Sequence, residues 1–297
     1  MIGVRVALYG AVFFSSLSAT FVRLSVSPPI VIAAWRMIFT VGLLLPLFVV
    51  RAVTNPTSAI PRSRNTTLLL LLGGVFLALH FLLWFASLGM TSVAHATVLV
   101  TIHPVPVMVL SAVVLRERVS WRAAVAGLIA LAGAIILATQ HNDGATSLAG
   151  DLLAFSGALA VSVYFIVGRY ARRGLDNTVY STVVFAVAAV ILTLGLVLSG
   201  EPLLPTSLRE AGIFFLLALV CTVLGHSILN WTMKHIAATE VSLAILMEPV
   251  IATIMAAVLF QEVPGLRSYV GGGIIIAALG WLMHGQSRAP KETFPKE

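Results

Sequence analysis

Residues Ala238 to Glu262 read ATEVSLAILMEPVIATIMAAVLFQE. An apolar stretch of about 20 residues is what a helix needs to cross a hydrocarbon core of about 30 Å. This one carries a carboxylate, Glu248, near its middle, with Pro249 directly after it. An ionisable group at that depth costs roughly 2.5 kcal/mol or more on insertion scales, so it marks either a site or a hinge whose carboxylate is hydrogen-bonded inside a bundle. Pro249 cannot donate to the carbonyl one turn back, which predicts a break in the helix where the carboxylate sits.

Composition places the whole chain in the same environment. Hydrophobic residues make up 59% of the sequence and charged residues only 10%, against about 25% in ordinary soluble domains. Mean hydropathy is +1.04. Ten apolar stretches follow one another: Val4 to Arg23, Pro29 to Val50, Leu68 to Met90, Ala94 to Leu115, Trp121 to Thr139, Leu148 to Tyr170, Val179 to Ser199, Leu208 to Met233, Ala238 to Phe260 and Leu266 to Met283. The connections are short and rich in Pro, Gly and Asn, and none is long enough for a soluble domain. The expected fold is an all-α integral membrane protein with ten transmembrane helices. The SLSA run at residues 16–19 could pass for a signal-peptide cleavage site, but the first helix takes part in the repeat below and is read as retained.

The formal charge of +7 does not point to nucleic acid, because the basic residues are scattered singly between apolar runs. They read instead as topology signals. With both termini on one side, the opposite face holds Arg23, Arg209 and Arg267, and Arg36 lies inside the second helix. The other fourteen of the 18 Lys and Arg share the face of the termini. That bias predicts cytoplasmic termini. The single cysteine, Cys221, sits in an apolar run and reads as a packing residue, with no intrachain disulfide available to it.

The sequence also repeats itself. Shifted by 145 residues, IHPVPVMVLSAVVLRE (Ile102 to Glu117) falls on MEPVIATIMAAVLFQE (Met247 to Glu262). Pro104 lands on Pro249, Glu117 on Glu262, Arg122 on Arg267 and Gly127 on Gly272; a shift of 146 brings His80 onto His226 and Arg23 onto Arg169. The expected units are residues 1–140 and 147–285, five helices each, followed by a polar cytoplasmic tail, 286–297. An odd number of helices per unit inverts the second copy in the membrane, an architecture of secondary transporters whose site lies at the repeat interface.

The segment LMEPVIATIMAAVLFQEVPGLRSYVGGGIIIAALG resembles the closing helix pair of an EamA-type half of the drug/metabolite transporter superfamily, and HPVPVMVLSAVVLRERVSWRAAVAGLIALAGAIIL resembles the end of the first half. The second helix, PPIVIAAWRMIFTVGLLLP, is similar to the same family where an arginine, here Arg36, follows a proline-led start. The resemblance extends to about residue 285. It implies a ten-helix secondary transporter of the bacterial inner membrane that exports amino acids or other small metabolites by alternating access. An aromatic-rich core inclines the reading to the aromatic amino acid exporter branch, with a multidrug or other metabolite carrier as the alternative.

Polar and aromatic side chains at mid-span are the candidates to line a path. The substrate-binding set is Arg36, His80, Trp84, His103, Tyr164, Asn230, Trp231 and Glu248, with His226 sharing a helix face with Asn230 and with Ser15, Ser16, Ser18 and Ser162 at similar depth. Aromatic faces for stacking, with a carboxylate, imidazoles and an amide for the ends, suit a zwitterion with a flat side chain. His95 and His103 fall on Glu240 and Glu248 under the 145 shift, so imidazole in one half answers carboxylate in the other. Arg36 calls for a partner: Glu248 is one, and snorkelling to the outer surface is the other outcome. Gly127, Gly133 and the run Gly271 to Gly273 read as close-packing positions.

No HExxH, GxSxG or Walker sequence is present, so an enzyme is not expected, nor is a metal or a cofactor. No filter-like re-entrant segment suggests a channel. A scaffold or receptor would fit the composition without needing buried ionisable residues in a repeat. The expected partners are a small-molecule substrate, the lipid bilayer and, through Glu248 or a histidine, protons; facilitated uniport is equally allowed.

Overall fold

The computed structural model describes residues 2–55, 63–90, 96, 99–138, 147–172, 175–261 and 263–286. Among the described residues, eight helices are long and apolar enough to cross a membrane: α1 (Gly3–Leu24), α2 (Pro29–Thr54), α3 (Arg64–Leu88), α6 (Leu148–Ala171), α7 (Asn177–Ser199), α8 (Leu208–Thr232), α9 (Ala238–Phe260) and α10 (Leu266–His284). Two apolar helices are shorter, α4 (Pro104–Val113) and α5 (Trp121–Leu137). A full-length fourth span, Ala94 to Leu115, was expected; residues 94, 95, 97 and 98 lie outside the described residues, and a turn at residues 101–103 separates the helical residues 99 and 100 from α4. Large aliphatic side chains stand exposed along the outer surface, among them Leu47, Leu71, Val109 and Leu198. That surface suits hydrocarbon rather than water.

Local chemistry sets the helix ends. Pro29 opens α2, where its missing N–H costs nothing. Ser63, Asp176 and Ser207 cap α3, α7 and α8 by accepting from Thr66 N (3.1 Å), Thr178 N (2.8 Å) and Glu210 N (3.2 Å). Gly200 ends α7 in the left-handed region, at φ 73°.

Around the two proline positions the structure repeats in detail. In α9 the helix is interrupted at Leu246 and Met247, just before Glu248, as the Glu-Pro pair predicts. The amide of Met247 bonds to Ala244 O at 3.1 Å and that of Val250 to Met247 O at 3.1 Å. At the start of α4, Ile102 N bonds to Leu99 O (3.4 Å) and Val105 N to Ile102 O (3.0 Å), the same bonds 145 residues earlier. Among the described residues, the non-glycine residues with positive φ are Arg116 (54°) and Gln261 (57°), also 145 apart, each closing its segment.

Helix packing follows one pattern. α3 packs against α6 and α1 against α8; α2 pairs with α7, and α5 with α10. α4 touches α6 and α9, while α9 also touches α1. At the α5–α10 crossing, a Cβ on Gly133 would lie 2.8 Å from the Gly271 carbonyl, and one on Gly271 would lie 2.4 Å from the Gly133 carbonyl. Only glycine allows that approach. Ala126 and Ala278, from the same two helices, are buried in one hydrophobic cluster with Leu243, Ile275 and Leu279. Of the other glycines expected to pack closely, Gly127 meets Leu243, whereas Gly273 has nothing near it.

Candidate functional site: a cavity between the helices

α1, α2, α3, α6, α8 and α9, with the residues leading into α4, enclose a cavity of about 60 Å³. Ordinary ligand pockets measure roughly 300–1,000 Å³, so the space is constricted in this conformation. Its polar lining consists of Ser15, Ser18, Arg36, His80, Trp84, Thr101, His103, His226 and Glu248, and Phe81 and Phe165 supply aromatic walls.

Five of the eight candidate residues meet there. Arg36 is buried; its Nε donates to Thr222 Oγ1 at 2.8 Å and its Nη1 to Ser18 Oγ at 3.1 Å. The guanidinium carbon lies 4.6 Å from the Phe81 ring centroid, a cation–π contact. Snorkelling is therefore not what the side chain does. Glu248 accepts a hydrogen bond from Ser15 Oγ at 2.5 Å. Arg36 and Glu248 share the cavity, but no ion pair joins them.

The histidines are oriented by backbone. His80 Nδ1 lies 3.0 Å from the Gly157 carbonyl, and His103 Nδ1 lies 3.1 Å from that of Val100. A carbonyl only accepts, so Nδ1 carries the proton in each neutral ring and Nε2 is left as an acceptor. His80 stacks on Trp84 with centroids 5.9 Å apart and planes at 17°. Arg36 Nη2, Trp84 Nε1, His103 Nε2 and His226 Nδ1 are buried with no partner inside the protein. Such groups are costly to leave unpaired, which suits a cavity that takes a polar guest.

Tyr164, Asn230 and Trp231 do not line the cavity. Tyr164 Oη donates to Asn230 Oδ1 at 2.7 Å, and Asn230 Nδ2 reaches Ser181 Oγ at 3.4 Å, so these residues tie α6, α8 and α7 together. Trp231 packs on His235, with centroids 4.5 Å apart. His226 and Asn230 were expected to share a face, yet only His226 faces the cavity. It closes a π-helical segment, Leu217–His226, and the chain continues as α-helix over Ser227–Thr232, where Asn230 turns to Tyr164 and Ser181. The same segment sets Thr222, whose hydroxyl bonds to Leu217 O five residues back at 3.2 Å while accepting from Arg36.

Glu240 lies apart from the cavity and pairs with Arg5 at 3.1 Å. His95 and Glu262 fall outside the described residues. Arg169 and Arg23, equivalent under the repeat, meet Glu117 (2.8 Å) and the Phe260 ring (4.4 Å) respectively, at the ends of α4 and α9. Phe81, Thr101, Phe165 and Thr222 were missed from sequence. Among the described residues, no group of His, Cys, Asp and Glu is placed to hold a metal ion.

The EamA-like transporter family model matches residues 1–139 and again 148–283. The chain belongs to the EamA-like transporter family. Its relatives are named as transporters. The uncharacterized transporter YyaM of Bacillus subtilis is 24% identical over 272 residues, 87% of this chain and 85% of its own. YdfC of the same organism, also an uncharacterized transporter, is 25% identical over 74% of this chain and 72% of its own. The pseudopaline exporter CntI of Pseudomonas aeruginosa is 24% identical over 93% of this chain and 94% of its own. A solved crystal structure covers 97% of this chain and 100% of its own with a TM-score of 0.79; at 18% identity it speaks for the fold alone.

Proposed function

We propose that this EamA-family transporter exports small metabolites, amino acids before others and aromatic ones among them, by alternating access through the central cavity. The reading takes the chain as ten membrane helices in two inverted five-helix units, 1–140 and 147–285, with both termini cytoplasmic in a bacterial inner membrane. The repeated proline breaks and the repeated positive-φ residues support the two units, and the distribution of Lys and Arg supports the orientation.

One observation carries the substrate class. A buried guanidinium and a buried carboxylate face one cavity, each held by hydroxyl groups and not by the other. Both therefore keep capacity for a guest of opposite charge at each end, and an α-amino acid offers a carboxylate for Arg36 and an ammonium for Glu248. His80, Trp84 and His103 then contact the guest, with Phe81 and Phe165 against its side chain. Tyr164, Asn230 and Trp231 hold the frame around it. The test is saturable counterflow of amino acids in proteoliposomes; exchange of other metabolites with no exchange of amino acids would leave a carrier of another substrate class. CntI, an exporter of pseudopaline, is reason to put such metabolites beside the amino acids in that assay.

A further inference from the structure

Arg172 caps the C-terminus of α6, and its side chain is fully buried. The guanidinium lies against the Tyr180 ring, 4.5 Å from its centroid, and Nε, Nη1 and Nη2 all lack a hydrogen-bond partner among the described residues. The Tyr180 hydroxyl, on the edge of the same ring, is buried and lacks one too. Gly168 lets the two groups converge. A Cβ there would stand 2.7 Å from Tyr180 Oη and 3.0 Å from Arg172 Nη2, so a point that glycine leaves open is within hydrogen-bond reach of both. A Cβ on Gly73 would stand 3.3 Å from the same hydroxyl, which sets the cluster at the junction of α3, α6 and α7.

Charge is not balanced at this junction. The titratable groups acting on Arg172 are Tyr180, Tyr164 and a second cation, Arg169. Tyr164 donates to Asn230, and Arg169 is paired with Glu117 at 2.8 Å. Among the described residues, no carboxylate lies within ion-pair distance of Arg172. A lysine or histidine in such a place would shed its proton, which arginine cannot do. The cation–π contact and the C-terminal dipole of α6 offset only part of what a buried, unpaired cation costs. An anion supplies the missing charge, and it accepts from the guanidinium and the tyrosine hydroxyl together. Full burial selects a monovalent ion, because desolvation costs rise steeply with charge.

We infer that Arg172 and Tyr180 bind one small monovalent anion, a halide or a short carboxylate, as a counter-ion between α6 and α7. Neither residue lines the central cavity, so the inference stands apart from the reading of what that cavity carries.

Thermal unfolding of the purified full-length protein in detergent tests it, with gluconate replaced at constant ionic strength by chloride, bromide or acetate. The midpoint should rise by about 2 °C or more and saturate. A response to chloride and bromide alone makes the ligand a halide; a response to acetate makes it a carboxylate. Tyr180→Phe should raise the half-saturating concentration about tenfold. Arg172→Met removes the charge, so its midpoint in gluconate should equal or exceed that of wild type and should ignore the anion. Arg36→Gln, at the guanidinium of the cavity, should keep the full response. A wild-type midpoint indifferent to all three anions, a response that survives in Arg172→Met, or an Arg172→Met protein less stable than wild type in gluconate overturns the inference. Crystals of the wild-type protein grown in bromide or soaked in it read the site without any variant. An anomalous peak beside Arg172 and Tyr180 is expected if the thermal response is to halides, and its absence then overturns the inference.

Discussion

Arg36 and Glu248 face the same cavity through the same helix: Ser18 Oγ accepts from Arg36 at 3.1 Å, and Ser15 Oγ donates to Glu248 at 2.5 Å, three residues away on α1. One turn of α1 thus holds a cation and an anion apart. A direct ion pair would consume both charges. Held by hydroxyls, each keeps its charge unpaired by the other.

Replacing Arg36 by Gln tests its role. The amide nitrogen stands where Nε stood and can still reach Thr222, so insertion and folding should survive while the counter-charge for a carboxylate is lost. Uptake into proteoliposomes should fall at least tenfold, the effect of about 1.4 kcal/mol of lost binding. Loss of membrane-inserted protein, measured by extraction and size-exclusion profile, would instead make Arg36 a structural residue.

Tyr164 and Asn230 should behave differently. Tyr164→Phe leaves the buried Asn230 Oδ1 without its donor, which costs about 1–3 kcal/mol. A lower thermal midpoint in detergent with an unchanged substrate concentration for half-maximal exchange is the expected outcome. A selective change in that concentration would return Tyr164 to the path.

The α5–α10 crossing offers a steric test. Gly271→Leu drives a side chain into the backbone of α5 and should destabilise by about 1–3 kcal/mol or separate the helices. Gly273→Ala, with open space around it, should lie within about 0.5 kcal/mol of wild type. Equal melting temperatures for the two variants would contradict the close approach.

Much of this was legible in the sequence where the physics is local. Pro104 and Pro249 break their helices because proline lacks an N–H, whatever surrounds it, and the repeat follows from residues in register. Glu248 and Arg36 stood out because a charge in an apolar run is costly and so marks a site or a specific structural contact. Direction was not legible. Tyr164 points to Asn230 while its neighbour Phe165 lines the cavity, and helices apolar on every side carry no stripe to tell the two apart. Nor could sequence show that Arg36 is served by Thr222 and Ser18 in place of Glu248, since hydroxyls 186 and 18 residues away become neighbours only in the folded bundle. The π-helical turns that place Thr222 and His226 carry no motif of their own.

The most direct measurement is counterflow in proteoliposomes loaded with a panel of amino acids and hydrophobic cations, comparing the intact protein with Glu248→Gln. Saturable exchange of amino acids that the substitution abolishes, in protein that stays folded, is the result expected if the ammonium rests on Glu248. Amino-acid exchange that proceeds unchanged in Glu248→Gln, or exchange of the cations alone, would contradict it.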